Sequence, residues 1–463
     1  MRATTPSRPG LGALASGTPQ ERDRFVDLLR AASILVVVLG HWLMAAVVRR
    51  GGVLRADNAL AAVPWLQPLT WVFQVMPVFF VVGGFANAQA LGRPGARTSL
   101  FLARRARRLL PPTLLLVAGW LMGAAVLVVA GAPDRTVRDL GSVAAQPLWF
   151  LAVYLLLVLL APVQLRLHRR RPWLLLAVLP VAAVVLDAGR LSSGVGKGLA
   201  ILNYLAVFVC AQELGFWYGD GRLLRLSRSR LVGGSLVALA LLVLVTAVGP
   251  YPVSMVGVPG QEISNMSPPT VCVLLLTFAQ VGLLLAARPV LLRWLERPRV
   301  WRTTIAANLV VLTVFLWHLT AYVVAAGLLR AAGRGVPSPG STGWWLSKPV
   351  DVLLAAVVLL VLVLVCSPLE RRDAGPPSAG RLGTVVAGTL LAATGLAGLA
   401  ASGFSHPFTT SGRPLLGVRF SPLPAALLLV VGWLLAAGIP RPGPSRSAGS
   451  GAEERSASAH RRT

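Results

Sequence analysis

The chain has 463 residues, of which 55% are hydrophobic and only 13% are charged, and its mean hydropathy is +0.71. This composition excludes a soluble globular protein and is typical of a chain that crosses a membrane many times. The net charge of +28 would suggest a nucleic-acid partner in a soluble protein. Here, arginines at the ends of spanning helices explain it better, because they fix topology and contact anionic lipid. We therefore expect membrane lipids, and no nucleic acid, as partners.

The rare residue types narrow the class further. The three cysteines, Cys210, Cys272 and Cys366, each lie inside an apolar run and show neither metal-binding nor disulfide spacing, so we expect no metal site. Lysine occurs only at Lys197 and Lys348, whereas Arg, Ala, Gly and Val are abundant. That bias is typical of a GC-rich bacterial genome and predicts a bacterial plasma membrane as the location.

Hydrophobic runs divide the chain into twelve predicted membrane-spanning helices. A run of about 20 apolar residues crosses the roughly 30 Å hydrocarbon core of a bilayer. Residues 1–24 before these runs and 441–463 after them are rich in polar residues, Pro and Gly, so both tails are predicted to be disordered. The runs lie near 25–48, 69–91, 109–130, 147–165, 173–189, 198–218, 231–248, 270–287, 303–329, 345–367, 382–402 and 423–440. We therefore predict an all-α polytopic membrane protein.

The arginines predict which ends of these helices face the cytoplasm. The two tails and every second connection together hold well over twice as many basic residues as the alternate connections. Cytoplasmic loops carry such an excess, so we predict that both termini are cytoplasmic. This arrangement requires an even number of spans.

The first predicted helix carries three ionisable residues, Asp27, Arg30 and His41. A charge near the bilayer centre costs at least about 2.5–3.5 kcal/mol, so such groups normally face a protein interior or a wet cavity. Arg30 and His41 have ten residues between them, which places them on nearly the same helical face and about 16 Å apart along the axis. An imidazole suits general-base chemistry at physiological pH, although hydrogen bonding between helices is the alternative role for His41.

Four arginines, Arg104, Arg105, Arg107 and Arg108, lie where the third predicted helix begins. A cluster at a membrane boundary is usually a topology anchor. The planar guanidinium also matches phosphate geometry, so binding of a phosphate-rich donor is the functional alternative.

These features together resemble the acyltransferase-3 family of integral-membrane acyltransferases. The resemblance rests on Arg30 and His41 with ten residues between them, the Phe79-Phe80 to Gly84-Phe85 stretch, the arginine cluster, and the later landmarks Trp149-Phe150-Leu151 and Phe315-Leu316-Trp317-His318. It assigns residues 25–370, with ten helices, to a family-like transmembrane domain. Residues 371–440, with two further helices, lie outside the resemblance. Gly83 departs from the family pattern, which usually has Ser before Gly-Phe.

The resemblance implies transfer of an acyl group, commonly acetyl, from cytoplasmic acyl-CoA to a hydroxyl of a sugar, glycan or other envelope or secondary-metabolite acceptor. It implies that Arg30 and the four clustered arginines bind the donor and that His41 serves the transfer. Acyl-CoA would be a substrate, so no bound cofactor is expected. Neither the acceptor nor the oligomeric state follows from the sequence.

Further ionisable residues have predicted depths that bear on this chemistry. His318 lies at a depth close to that of His41, which makes it the rival base. Asp351 begins an outward-starting helix and is predicted to orient either histidine. Glu213 lies near the depth of Arg30 and is predicted to neutralise it, whereas Asp27, one turn before Arg30, is its local partner.

Two other functions compete with the enzyme. A transporter or flippase of a lipid-linked or small polar substrate also carries intramembrane charges, but it tends to show two similar halves with interrupted helices, and we find no such internal repeat. A structural scaffold would use polar residues only to join helices, and the face shared by Arg30 and His41 argues against it. We therefore favour the O-acyltransferase.

Overall fold

The structure, a computed structural model, describes residues 22–50, 53–192, 198–370, 380–407, 410, 414–415 and 417–437. The predicted C-terminal tail, 441–463, lies outside the described residues. So does the predicted N-terminal tail, 1–24, except for its last three residues. The predicted boundary between the two transmembrane regions, at 370/371, adjoins residues 371–379, which are also outside them.

Helices make up most of the described chain. They are α1 (Arg24–Met44), α2 (Ala59–Ala62), α3 (Thr70–Phe73), α4 (Met76–Gly92), α5 (Thr98–Val129), α6 (Asp134–Ala145), α7 (Pro147–Arg170), α8 (Pro172–Ser192), α9 (Asn203–Gly219), α10 (Arg228–Ala247), α11 (Val271–Leu295), α12 (Pro298–Ala331), α13 (Thr342–Glu370), α14 (Leu382–Ser402) and α15 (Pro422–Ala437). Short 3₁₀ segments occur at Pro64–Leu69, Ala200–Leu202 and Leu223–Arg225. The protein is thus an all-α polytopic membrane protein, as predicted.

Eleven helical segments in the described part of the chain are long and apolar enough to cross a membrane. Each corresponds to one of the first eleven predicted spans. The counterpart of the twelfth is α15, which has 16 residues and is shorter than the roughly 17–25 residues that a spanning helix needs. The count of twelve is therefore not confirmed.

The first helix begins and ends at clear signals. The side chain of Asp23 accepts a hydrogen bond from the backbone N–H of Val26 at 3.1 Å and caps the N-terminus, as Asp commonly does. The helix was predicted to reach residue 48, but it ends at Met44, and an antiparallel hairpin of β1 (Ala45–Arg50) and β2 (Val53–Asn58) follows. Residues 45–48 are all apolar, so hydropathy alone does not separate this strand from the helix before it.

The glycine pair of the predicted second span is explained by helix packing. A Cβ on Gly84 of α4 would overlap the backbone carbonyl of Gln212, and one on Gly215 of α9 would overlap that of Val81. Small residues permit such close approach between membrane helices. A Cβ on Gly83 would lie 3.2 Å from the ring of Tyr154, so the residue that departs from the family pattern makes room for an aromatic side chain.

The two helices beyond the predicted family domain pack closely on it. Trp120 of α5 stacks on Phe404, with ring centroids 6.1 Å apart. The Arg107 Nε atom donates a hydrogen bond to the carbonyl oxygen of Ala437, the last residue of α15, at 2.7 Å. Cations at a helix C-terminus satisfy its unpaired carbonyls and interact favourably with its dipole. α14 and α15 are therefore joined to α5 at both ends.

The bundle has two chemically different ends. At one, which we call the arginine end, α1 begins, and the guanidinium of Arg24 lies 4.9 Å from the ring centroid of Trp301. At the other, the hairpin end, α1 passes into the hairpin, and Lys348 Nζ donates to the carbonyl oxygen of Ala45 at 2.5 Å. Because consecutive spans alternate in direction, the basic connections predicted to be cytoplasmic share the arginine end.

Candidate active site

Two histidines from distant parts of the chain lie in contact at the centre of the candidate site. The Nε2 atom of His318, on α12, lies 3.2 Å from Nδ1 of His41, on α1, and their ring centroids are 5.1 Å apart. The neighbouring Trp42 strengthens this junction, because its Nε1 atom donates to the carbonyl oxygen of His318 at 2.9 Å. The two residues predicted as rival bases therefore form one pair.

The backbone partners of the pair determine which nitrogens carry hydrogen. Nδ1 of His318 lies 2.6 Å from the carbonyl oxygen of Phe315, and Nδ1 of His41 lies 2.9 Å from that of Val37. A carbonyl only accepts, so both Nδ1 atoms are donors, and Nε2 of a neutral His318 accepts from His41. In a neutral His41 the remaining lone pair is then on Nε2, which is the arrangement a general base requires.

A cavity of about 510 Å³ extends from beside this pair toward the hairpin end, and both histidines line it. The volume falls within the range of small-molecule sites. Leu60 and Phe73 form part of its wall, and Phe150 and Phe315 lie at its inner end. His41 therefore has access to a space in which a small molecule can bind.

The loop between α10 and α11 covers part of the cavity and is fixed by Asp187 of α8. The Oδ2 atom of Asp187 accepts from the backbone N–H of Val271 at 2.8 Å and from the Tyr251 hydroxyl at 3.2 Å. Burial, and then the charge of Asp187, raises the pKa of Tyr251, so this phenol stays protonated and donates. Asp187 thus holds this loop against α8.

Arg30 lies nearer the arginine end than the pair does, and it is not among the residues that line the cavity. Its Nη1 atom is 3.1 Å from Oδ1 of Asp27, so the predicted ion pair is present. Arg105 and Arg108 are close enough to interact electrostatically with Arg30, as is Tyr154. The three guanidinium groups are therefore close enough to repel one another, and an anion with several negative charges would offset that repulsion.

Aromatic rings separate the arginines from the cavity. Phe150 packs edge-on against Phe79 with centroids 5.0 Å apart and against Phe315 at the same separation. Tyr154 stacks on Phe150 at 6.1 Å. We call Phe79, Phe150 and Phe315 the aromatic layer. The aromatic layer lies about one helical turn closer to the arginine end than the histidine pair does.

A buried chain of hydrogen bonds leads from Arg105 to Glu213, which is fully buried. In order, the links are Arg105 Nη2 to Asn87 Oδ1 at 2.9 Å, Asn87 Nδ2 to Gln212 Oε1 at 3.1 Å, Gln212 Nε2 to Gln164 Oε1 at 2.6 Å and Gln164 Nε2 to Glu213 Oε2 at 2.9 Å. Along this chain each residue donates to the next one toward Glu213. Arginine can only donate, so Asn87 must turn its oxygen toward Arg105, and the orientation of each later amide follows in turn. The chain therefore couples Arg105 to a carboxylate that it does not touch.

The partner of Glu213 differs from the predicted one. Its Oε1 atom lies 2.6 Å from Nδ1 of His168, and Nε2 of that ring lies 3.1 Å from Oδ2 of Asp220. Glu213 was predicted to neutralise Arg30 because the two share a depth, but a depth does not define which face of a helix a residue occupies. Both nitrogens of His168 face carboxylates, which only accept, so a doubly protonated ring satisfies both.

The comparisons with known proteins give one match. The acyltransferase-3 family model, described as an acyltransferase domain, matches residues 23–369. The chain belongs to the acyltransferase-3 family. It is accordingly a membrane O-acyltransferase. Searches of curated proteins and of solved structures found no match.

The donor residues predicted for this acyltransferase divide into groups. Arg105 and Arg108 lie near Arg30, whereas Arg107 is bound to the end of α15. Arg104 and Arg108 are exposed, and Arg105 is half-buried. Four arginines within five positions point around the helix at about 100° per residue, so one function for the whole cluster does not fit its geometry.

Asp351 is the predicted site residue that lies apart from the histidines of the acyltransferase. Its carboxylate oxygens lie 3.3 Å from Nη1 of Arg334 and 3.4 Å from Oγ of Ser347. The hydrogen-bond partners found for the two imidazole rings are each other and backbone carbonyls. An orienting role for Asp351 is therefore not supported by its contacts.

Several site residues were missed from the sequence. They are His168, Gln164, Gln212 and Asn87 of the buried chain. His168 directly precedes Arg169, Arg170 and Arg171. Such a basic run indicates a topology anchor, so nothing in the sequence indicated that His168 is buried. The amides belong to apolar helices, where an intramembrane polar residue is itself a signal of buried partners.

We predict that Glu213→Gln strongly destabilises the folded protein. The substitution keeps the size of the side chain but leaves His168 with one of its two carboxylates, and breaking a buried ion pair costs about 3–5 kcal/mol. Equilibrium unfolding in detergent measures the change. Asp134→Asn is the matched control, because Asp134 pairs with His406 at 3.0 Å on the exposed surface, where such pairs contribute about 0–1 kcal/mol. Equal losses in the two variants would contradict the prediction.

Proposed function

We propose that this O-acyltransferase moves an acetyl group from cytoplasmic acetyl-CoA to a hydroxyl of an acceptor bound in the 510 Å³ cavity, and that it does so in a bacterial plasma membrane with both termini in the cytoplasm. The observation that carries the proposal is the histidine pair. The contacts of His41 Nδ1 leave Nε2 of the same ring with its lone pair, and His41 lines the cavity. Arg30 and its neighbouring arginines supply the donor side.

In the proposed reaction, His41 Nε2 takes the proton of the acceptor hydroxyl as its oxygen attacks the thioester carbonyl carbon. The carbon–sulfur bond breaks, the new ester bond forms, and the proton passes from His41 to the leaving thiolate. The positive charge on His41 during the step is stabilised because its Nδ1–H donates to two acceptors, the Val37 carbonyl and His318. Positioned general bases contribute roughly 10² to 10⁴ in rate.

His318 acts in this proposal as the positioning residue for His41. It is fully buried, and its Nδ1 is committed to the Phe315 carbonyl, so its tautomer is fixed. That tautomer accepts from His41 Nδ1 and thereby keeps the lone pair of His41 on the catalytic nitrogen. The sequence left the two histidines as rivals, and their contact supports different roles for each.

The donor would bind at the arginine end. Arg30, Arg105 and Arg108 present guanidinium groups to one region, and guanidinium binds phosphate through charge-assisted hydrogen bonds. The roughly 16 Å along α1 between Arg30 and His41 must then be bridged by an extended acyl carrier. The thioester would reach His41 past the aromatic layer.

Transport of a lipid-linked or small polar substrate is the alternative function. A transporter needs a path for its whole substrate through the bundle. The aromatic layer lies across the space between the arginines and the cavity, and a thioester arm is far narrower than a sugar headgroup. This favours the transferase.

On topology, we predict that reporter fusions placed after Arg108 and after Arg230 report a cytoplasmic location, and that one after Gly260 reports the opposite side. The reason is the excess of arginine at one end of the bundle. Paired alkaline phosphatase and green fluorescent protein fusions measure the location. A fusion at Arg108 that reports the outer side would contradict both the topology and the cytoplasmic donor.

For the donor, we predict that Arg105→Ala combined with Arg108→Ala weakens acetyl-CoA binding at least tenfold, because each charge-assisted hydrogen bond contributes about 1.5–3 kcal/mol. Isothermal titration calorimetry with purified protein gives the affinity. Arg225→Ala combined with Arg228→Ala is the control, since both residues are exposed at the same end and removal of two charges is matched. Unchanged donor affinity in the first variant would identify the cluster as a topology anchor only.

For the base, we predict that His41→Ala loses essentially all acetyl transfer while remaining folded, and that His318→Ala loses less. The His318→Gln variant should recover part of the rate, because a side-chain amide oxygen also accepts from His41 Nδ1. The measurement is transfer from radiolabelled acetyl-CoA by purified protein. Near-normal turnover in His41→Ala beside an inactive His318→Ala would reverse the two roles.

A further inference from the structure

The cavity beside His41 has a mainly apolar wall. Side chains that contribute to it include Leu43, Leu60, Phe73, Met76, Trp149 and Phe315. Among the lining residues whose side chains the structure describes, none is Asp, Glu, Lys or Arg. Apolar surface of this kind binds apolar surface, with a gain that grows with the area removed from water.

Three of the polar side chains in the wall are already engaged by the protein, whereas Gln146, which is exposed, also lines the cavity. Asn58, Thr70 and Gln74 each donate one hydrogen bond to a backbone carbonyl and accept one from a backbone N–H. The partners are Gly257 and Leu60 for Asn58, Gln67 and Met255 for Thr70, and Met255 and Met76 for Gln74. These residues shape the wall and anchor neighbouring loops. A bound molecule can use only the hydrogen-bonding capacity that these contacts leave.

A mainly apolar wall, in which several polar side chains are already bonded to backbone, favours some kinds of acceptor over others. A free sugar carries hydroxyls on every side, and each one buried without a partner lowers affinity by roughly tenfold or more. An alcohol with an apolar body needs one polar contact, and His41 Nε2 provides it. The rest of such a molecule contacts side chains of matching character.

The wall of the cavity also reaches the outer surface of the bundle. Leu43, Leu69 and Trp345 line the cavity and are 43%, 49% and 40% exposed. Trp65, 69% exposed, stacks on Trp345 with centroids 6.2 Å apart. Exposed tryptophans are enriched where a membrane protein meets the lipid–water interface. The cavity is thus bordered at the hairpin end by exposed side chains of the kind found at the lipid–water interface.

We propose that the acceptor is an uncharged alcohol with a mainly apolar body, which enters the cavity from the membrane at the hairpin end. The acceptor places its hydroxyl at His41 and its apolar body against Phe73, Met76 and Trp149. This inference rests on the proposed function for the identity of the reacting hydroxyl, and it selects within the acceptors that the function allows. Free sugars and charged glycans are excluded from the cavity as acceptors.

The test is photolabelling of the purified protein in lipid nanodiscs with a diazirine derivative of 1-decanol, followed by peptide mapping. We expect labelled residues in α1, α3 and the start of α4, and about a tenfold loss of this label in a tenfold excess of 1-decanol over the probe. Glucose or sorbitol at the same concentration should leave it unchanged. Competition by the polyols without competition by decanol would overturn the proposal.

A pair of glycine substitutions controls for probe that is simply dissolved in lipid. Gly40 lines the cavity, and its added Cβ would lie 3.4 Å from Phe73, whereas a Cβ on Gly123 would meet nothing within 4 Å. Gly40→Leu should therefore remove most of the cavity label, and Gly123→Leu should remove none. Label that persists equally in both variants would show that the probe is in the lipid and would overturn the proposal.

Transfer of acetyl from radiolabelled acetyl-CoA to 1-decanol, measured on the same preparation, separates this inference from the proposed function. Specific photolabelling without any transfer would contradict the proposed function and leave an apolar-alcohol site. Transfer to glucose at a higher kcat/KM than to decanol would contradict the acceptor class and leave the acetyltransferase.

Discussion

The contact between His41 and His318 is the interaction on which the rest of the site depends. It joins the first span to one that begins more than 250 residues later, and the bond from Trp42 to the His318 carbonyl fixes the two helices at the same height. A neutral imidazole pair costs far less to bury than a charged one. The pair can therefore lie deep in the bundle, where both rings border the cavity and His318 is fully buried.

Lys348 supports this arrangement from the hairpin end. Its ammonium group donates to the carbonyl oxygens of Trp42 and Ala45, in the last turn of α1 and just beyond it, and lies 4.5 Å from the ring centroid of Trp344. The final carbonyls of a helix lack partners within it, and a cation there is favourable. Because His41 is within one turn of those carbonyls, a fixed helix end also fixes the height of the imidazole.

The sequence predicted those parts of the fold and site that follow from spacing along one helix. The shared face and separation of Arg30 and His41, the ion pair of Asp27 with Arg30, and eleven spans are of this kind. Contacts between helices were harder, because they depend on rotation about each axis. Depth alone suggested that His318 lies near His41, which the structure agrees with, but the same reasoning paired Glu213 with Arg30, and the rotation of α9 instead turns that carboxylate toward His168.

The distribution of polar groups gives the two ends of the bundle different chemistry. At the arginine end, a charged side chain such as Arg105 is tied through amides to a buried carboxylate, so ionic groups are stabilised without direct contact. At the hairpin end, Asn58, Thr70 and Gln74 of the cavity wall are bonded to backbone groups, and most of the other lining side chains are apolar. The aromatic layer lies between the arginines and the cavity. In the proposed reaction, a polyanionic donor would bind the arginines at one end, an apolar acceptor would bind the cavity wall toward the other, and the histidine pair lies where the two could meet.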